Sequence, residues 1–146
     1  MTGDVEIVEA AVDDALSIAA LLEALATGEG ERSDLTIDDV QRFVAAGDGL
    51  ALVARDHGRV VGFVAVAIYP SFFRPASWAH IGFLVVAEDR RGLGLGRALV
   101  EAAVGVCAAR GLHEVTVSTL PHNQAARRLY ARCGFVERTV GFERRL

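Results

Sequence analysis

The sequence contains no lysine, because all fifteen of its basic residues are arginine. It therefore has no side-chain amine that could be modified or could form a Schiff base. Cysteine is also scarce, with only Cys107 and Cys133 present, which is too few for a disulfide framework or a metal cluster. Both lie in helix-like contexts, where a thiol packs as a small apolar group. We expect no disulfide and no metal site.

Positive charge is not in excess, since fifteen basic residues face nineteen acidic ones and the net charge is −4. Nucleic-acid binding proteins are usually basic, so we do not expect that partner. No apolar run approaches the ~20 residues of a membrane span, and no basic signal-like segment opens the chain. A cytoplasmic protein without a membrane partner is the expectation. The 146 residues, 52% of them hydrophobic, predict a single domain over residues 1–146 with a substantial core.

The hydrophobic pattern predicts a mixed α/β fold, also describable as α+β. Alternating or continuous apolar runs predict strands over residues 5–8, 50–55, 59–68, 78–86, 114–119, 135–140 and 142–146. Caps and helical periodicity predict helices from 13 or 14 to about 26, from 36 to 47, over 97–110, and for about ten residues after 123.

A glycine-rich segment separates the apolar strand ending at Val86 from a predicted helix. It reads Arg91, Gly92, Leu93, Gly94, Leu95, Gly96 and Arg97. A helix N-terminus has unpaired N–H donors and a partial positive charge, and glycines let an anion approach the backbone. The segment is not the dinucleotide motif G-x-G-x-x-G, and no Gly-Lys-Ser/Thr of a P-loop is present. It predicts a pyrophosphate site, with a purely structural turn as the alternative.

A second segment follows about 30 residues later and reads Asn123-Gln-Ala-Ala-Arg-Arg-Leu-Tyr130-Ala-Arg-Cys-Gly-Phe135. Together the two segments resemble the GCN5-related N-acetyltransferase superfamily, whose patterns are Arg/Gln-x-x-Gly-x-Gly/Ala and N-x-x-A-x-x-L-Y-x-x-x-G-F. The resemblance extends over the element order from residue 5 to 146. It implies a central, mostly antiparallel mixed sheet of six to seven strands with about four helices, splayed between the fourth and fifth strands.

The resemblance also implies the donor and the residues that hold it. Acetyl-CoA would be the co-substrate, with a longer acyl-CoA left open, and the N–H groups from Gly92 to Arg97 would bind its pyrophosphate. The backbone of Leu84, Val85 and Val86 would pair with the pantetheine arm, and one N–H there would polarise the thioester carbonyl. Asn123 would contact the cofactor or only cap its helix, and Tyr130 would be the general acid that protonates the thiolate.

The implied function is an N-acetyltransferase that joins acetyl-CoA and a primary amine of a small molecule or peptide by direct attack in a ternary complex. The alternative is a CoA-binding regulatory or partner-binding module without turnover. Family members are often dimers, and a homodimer is an option that the sequence leaves open.

The general base is the least defined part of this prediction. Many family members carry a glutamate on the strand before the glycine turn, where this chain has Gly82, and others carry one on the next strand, where it has Ser118. His80, two residues before Gly82, is a candidate base, since two residues apart in a strand share one face. His122 is a second candidate, and a water relay or an already neutral amine is the alternative.

Two loops bear on the acceptor. Residues 28–34 are acidic, which would attract a cationic amine or simply face solvent. Residues 69–78 are rich in aromatic side chains and predict a lid over an apolar acceptor, a dimer contact, or packing on the sheet edge.

Overall fold

The computed structural model describes residues 4–30, 33–47 and 49–146, and its centre is a sheet in the order β1-β2-β3-β4-β5. Strands β1 to β4 pair antiparallel, and β5 runs parallel to β4. The strands are β1 Val5–Glu9, β2 Gly49–Asp56, β3 Arg59–Tyr69, β4 Trp78–Val86 and β5 Glu114–Val117. The helices are α1 Ala15–Gly28, α2 Ile37–Ala46, α3 Leu95–Ala109 and α4 Gln124–Arg132. The predicted mixed, mostly antiparallel sheet with four helices is confirmed.

The N-terminus of α2 shows how local sequence sets an element boundary. The Thr36 hydroxyl accepts a hydrogen bond from the Asp39 N–H at 3.1 Å, and the Asp39 carboxylate accepts one from the Thr36 N–H at 2.9 Å. This reciprocal pair satisfies two donors that the first helical turn leaves unpaired, with aspartate in place of the usual glutamate. The helix ends at Ala46, and Gly47 follows as its C-cap with a φ of 72°, which a side chain would disfavour.

The sheet has a hydrophobic core on each face, because β3 is buried on both sides. On one face Val64 and Val66 pack in a cluster with Leu99 and Val100 of α3. On the other face Phe63 and Ala65 pack in a cluster that includes the α1 side chains Ala15, Ile18 and Leu22. Among the described residues, none of the helices is both long and apolar enough to cross a membrane.

Strand β4 contains a β-bulge at Gly82. Ala65 of β3 lies opposite Phe83, and the next residue, Val66, lies opposite Ile81, so that Gly82 has no partner in the register. A bulge reverses the alternation of side chains along the strand. Ile81 before the bulge therefore belongs to the α3-side core, whereas Val85 after it belongs to the α1-side core.

The end of the chain differs from the prediction. Residues 135–140 and 142–146 form no strand, so the sheet has five strands instead of six to seven. Val140 and Phe142 alternate with polar residues as strand residues do, but Phe142 is 96% exposed. Alternation favours a strand only where a neighbouring edge supplies hydrogen bonds and a surface to cover. Phe135 packs against Tyr130, but residues 136–146 have no strand partner in the described structure.

Candidate functional site

The site is built around a gap between β4 and β5. The two strands pair over four residues each, from Trp78 opposite Glu114 to Ile81 opposite Val117. Strand β5 then ends, whereas β4 continues through its bulge for five more residues to Val86. Alternate N–H and C=O groups of a strand point to each side, so the last part of β4 offers backbone groups toward the gap. The predicted splay between the fourth and fifth strands is confirmed.

The glycine turn lies just beyond the end of β4. Gly92 and Gly94 have φ angles of 78° and 80°, a conformation that favours glycine, and Gly94 is the N-cap of α3. A Cβ atom added at either position would meet no atom within 4 Å. The backbone conformation, and not crowding by the protein, therefore favours glycine here. The surrounding space is open to an approaching group.

The backbone N–H groups at the start of α3 are unpaired. From Gly94 to Arg97, none of the four N–H groups donates to an acceptor in the part of the chain that the structure describes, and the first helical bond is from Ala98 N–H to Gly94 C=O at 3.1 Å. Unpaired N–H groups at a helix N-terminus favour an anion, because their dipoles add to a partial positive charge. The arrangement can hold a phosphate group.

Two arginines flank the turn in different ways. The Arg91 Nε donates to the Val86 carbonyl at 3.2 Å, which ties the start of the turn to the end of β4. Arg97, in the first turn of α3, lies 4.0 Å from the Glu101 carboxylate one turn along the helix, and this exposed pair leaves its guanidinium largely in solvent. Both add positive charge near the unpaired N–H groups.

Helix α4 brings the second motif to the same place. A Cβ atom on Gly96 would lie 3.5 Å from the Leu129 side chain of α4 and 3.8 Å from the Val86 side chain of β4. Gly96 therefore lies where the end of β4, the start of α3 and α4 meet. Both distances are ordinary van der Waals contacts, so packing alone does not require a glycine at position 96.

Asn123 and Tyr130 stand at the two ends of α4. The Asn123 Oδ1 accepts a hydrogen bond from the Ala126 N–H at 3.1 Å, so its capping role is present. Tyr130 is half-buried and meets the Phe135 ring edge-on, with ring centroids 5.9 Å apart. Burial raises the pKa of the Tyr130 hydroxyl above 10.0, and Cys133 adds to this shift. The hydroxyl therefore keeps its proton throughout the neutral range.

A model of the acetyltransferase (GNAT) family matches residues 17–135, which include the gap, the glycine turn and α4. This chain belongs to the acetyltransferase (GNAT) family. It is 26% identical over 148 residues to the mycothiol acetyltransferase of Arthrobacter sp. (strain FB24), covering 90% of this chain and 46% of the relative. It is 35% identical over 96 residues to glucosamine 6-phosphate N-acetyltransferase 1 of Oryza sativa subsp. japonica, covering 64% and 56%.

The chain spans about half the length of each of these curated relatives. A solved aminoglycoside acetyltransferase from an uncultured soil metagenomic sample superposes with a TM-score of 0.86, covering 98% of this chain and 97% of that one. Its sequence identity is 19%, so the likeness shows that the two proteins share the GNAT fold.

Gly82 lies in the bulge and Ser118 is exposed after β5, so neither position at which the resemblance led us to look for a glutamate supplies a carboxylate. His80 is half-buried on β4, and its Nδ1 lies 2.8 Å from the Thr116 hydroxyl of β5. His122 is exposed before α4. The structure thus places His80 beside the gap and His122 outside it, at the turn that leads into the second motif.

The two loops for which the sequence predicts a role at the acceptor differ in what the structure shows. In the acidic loop, residues 31 and 32 lie outside the described residues. In the aromatic loop, Phe72 and Phe73 point into solvent, Phe73 being 97% exposed, whereas Tyr69 and Trp78 at its two ends stack with ring centroids 4.7 Å apart.

Three side chains near the gap were not predicted from the sequence as part of the site, namely Phe83, Glu114 and Thr116. Phe83 and Thr116 border the gap, and Glu114 lies beside Trp78. The glycine at position 82 in an otherwise apolar strand was the available signal of a bulge.

A separate cavity of about 330 Å³ lies between α1 and α2. Its lining residues are Leu16, Ala19, Ala20, Glu23, Ser33, Leu35, Thr36 and Ile37. None of them belongs to the glycine turn or to α4. Among the residues that the structure describes, no group of three or more His, Cys, Asp or Glu side chains is placed to hold a metal ion.

Proposed function

We propose that this chain is an N-acetyltransferase that transfers an acetyl group from acetyl-CoA to a primary amine of a small molecule or peptide. The observation that carries the proposal is the run of four unpaired N–H groups from Gly94 to Arg97, at the mouth of a gap between two parallel strands. The family membership supports the same donor.

The donor fits the residues present. The N–H groups of the glycine turn would hold the pyrophosphate, with Arg91 and Arg97 adding charge. The pantetheine arm would lie in the gap as an added strand beside Leu84, Val85 and Val86. One β4 N–H that faces the gap would donate to the thioester carbonyl and stabilise its developing negative charge. The open space around Gly92 and Gly94 lets the phosphates reach the backbone.

The transfer has balanced steps. The amine nitrogen attacks the thioester carbonyl carbon, a C–N bond forms, and the C–S bond breaks. Before the reaction the Tyr130 hydroxyl is protonated at neutral pH, because burial raises its pKa. The departing thiolate then takes this proton. The amine loses its proton to His80 or to a water relay, since neither Gly82 nor Ser118 carries a carboxylate.

A CoA-binding module without turnover is the second candidate function. The specific observation in its favour is the absence of a carboxylate at Gly82 and Ser118, where GNAT relatives carry a base. Its prediction is tight CoA binding with no CoA release in the presence of any amine. The intact Tyr130 favours the enzyme, because a regulatory module has no need of a thiolate-protonating acid.

The test combines binding and turnover. Calorimetric titration with acetyl-CoA, with free CoA alongside, is expected to show micromolar affinity, about 8 kcal/mol. CoA release in an amine panel then separates the enzyme from the regulatory module. A folded protein that binds neither CoA species contradicts both candidate functions.

A further inference from the structure

Side chains from β3, β4 and β5 form two rows on one face of the sheet, beside the gap. Residues opposite one another in a sheet share a face, so the register identifies the members of each row. The first row is Tyr69, Trp78 and Glu114, and the second is Ala67, His80 and Thr116. The Tyr69–Trp78 stack and the His80–Thr116 hydrogen bond show the same grouping in the side chains.

The bulge at Gly82 adds Phe83 to this face. His80 and Phe83 are three residues apart and would face opposite sides of a regular strand. Their partners Ala67 and Ala65 are two residues apart on β3, so the bulge brings both side chains to the same side. Tyr69, Trp78, His80 and Phe83, here called the aromatic strip, therefore run from the gap to the end of the sheet.

The aromatic strip lies on the same face of the sheet as the α1-side core, but its side chains are partly exposed. Ala65 and Val85 lie in the core beneath α1, but Phe83 is 48% exposed and Tyr69 44% exposed. Trp78 and His80 are half-buried. Aromatic side chains with this degree of exposure, next to a reaction site, offer a surface for an apolar ligand.

The spacing and charge of the strip suit a particular ligand. Trp78 and His80 lie two positions apart along β4, about 7 Å, and the small Ala67 lies opposite His80 in the same row. An aromatic face attracts both flat apolar groups and cations. The exposed carboxylate of Glu114, beside Trp78, adds negative charge that favours a cationic amine.

We propose that the acceptor is a primary amine carried on a flat apolar or aromatic body, which lies against Tyr69 and Trp78 while the amine reaches His80 at the gap. This rests on the proposed function. Glu114 draws the protonated amine to the strip, and Phe83 forms the wall next to the donor.

Trp78 is the single tryptophan of the chain, so its fluorescence reports directly on the strip. Titration with 2-phenylethylamine is expected to change this fluorescence saturably, and 2-aminoethanol, an amine without an apolar body, is expected to leave it unchanged at the same concentrations. The titration is made with and without CoA. The absence of any saturable change with 2-phenylethylamine overturns the proposal.

Variants test the assignment through turnover. Tyr69→Leu and Trp78→Leu are expected to raise the KM for 2-phenylethylamine at least fivefold, with the KM for acetyl-CoA unchanged. Glu114→Gln is expected to raise the amine KM about threefold, and less in high salt. Phe73→Leu, which changes an exposed aromatic in the neighbouring loop, is the matched control. If Trp78→Leu does not fold, the amine KM of Tyr69→Leu tests the same prediction.

Failure of the inference can be distinguished from failure of the function. One outcome is that 2-aminoethanol is acetylated with the same kcat/KM as 2-phenylethylamine, and that the variants of the aromatic strip leave both kcat/KM values unchanged. The acetyltransferase function then stands, and the proposed acceptor class is wrong. If 2-phenylethylamine saturates the Trp78 signal without CoA release from bound acetyl-CoA, the strip is a binding site and the transferase proposal is wrong. If Phe73→Leu raises the amine KM as much as Trp78→Leu does, the loop binds the amine, and the proposal for the aromatic strip is wrong.

Discussion

His80 of β4 and Thr116 of β5 are joined by a side-chain hydrogen bond, with 2.8 Å between the histidine Nδ1 and the threonine hydroxyl. The same hydroxyl lies 3.4 Å from the Ala79 carbonyl, to which it can donate. The hydroxyl oxygen then accepts from Nδ1–H, and the other ring nitrogen, Nε2, keeps a free lone pair. In this tautomer the Nε2 atom of His80 is able to accept a proton.

Replacing His80 by asparagine is expected to lower kcat about 10²-fold, the usual contribution of a general base. Thr116→Val removes the hydroxyl beside Nδ1 and keeps the imidazole, so a smaller loss of kcat is expected. Measurement of kcat at saturating substrates, with the KM of acetyl-CoA unchanged, checks both variants. A folded His80→Asn variant with the kcat of the original protein assigns the base role to a water relay.

Replacing Tyr130 by phenylalanine removes the hydroxyl and keeps the ring against Phe135. We expect kcat to fall by about 10² while the acetyl-CoA Kd stays within about twofold. Because burial raises the pKa of the Tyr130 hydroxyl, loss of its proton should lower kcat only at a pH above the ordinary tyrosine range. Steady-state kinetics and calorimetry check both parts. An unchanged kcat in the folded variant removes Tyr130 from the mechanism.

Gly94→Glu places a side chain and a negative charge in the proposed pyrophosphate site. Acetyl-CoA affinity is expected to fall at least tenfold, about 1.4 kcal/mol. Gly111→Glu is the matched control, because Gly111 also has a φ of 80° and open space around it but follows the opposite end of α3. Both variants pay about 1 kcal/mol of backbone strain. Equal acetyl-CoA affinity in the two folded variants contradicts the phosphate assignment.

Asp56, at the end of β2, is buried and bonded to Arg90 and His57. The Arg90 guanidinium, with a smaller contribution from His57, holds the pKa of its carboxyl below the ordinary 3.8. A lowered pKa in the folded state stabilises the protein above pH 3.8, and this stabilisation is lost as the pH falls through the lowered value.

Asp56→Asn is therefore expected to be less stable than the original protein at pH 7 and to approach it at pH 3. Urea unfolding at the two pH values measures this, with the exposed Asp13→Asn as a control. A difference that stays constant between the two pH values contradicts the ion-pair explanation.

Much of this site could be predicted from the sequence because its signals are local. Glycines at 92 and 94, and asparagine at 123, act through their own backbone and the next few residues. The position of Phe83 could not be predicted, because its direction depends on the register between β3 and β4, and a bulge of one residue reverses it. The partner of His80 was missed for the same reason, since Thr116 lies 36 residues away in the chain.

The sequence by itself determined the order of the elements, the helix caps, the glycine turn and the family, since these depend on neighbouring residues and short motifs. Only the tertiary structure decided which side chains share a face of the sheet and where a strand finds an edge to pair with. The C-terminal segment shows the difference clearly, because its residues alternate like a strand and yet Phe142 remains exposed. Strand pairing and the placement of Phe83 beside His80 are non-local, and the energy that fixes them comes from contacts between distant parts of the chain.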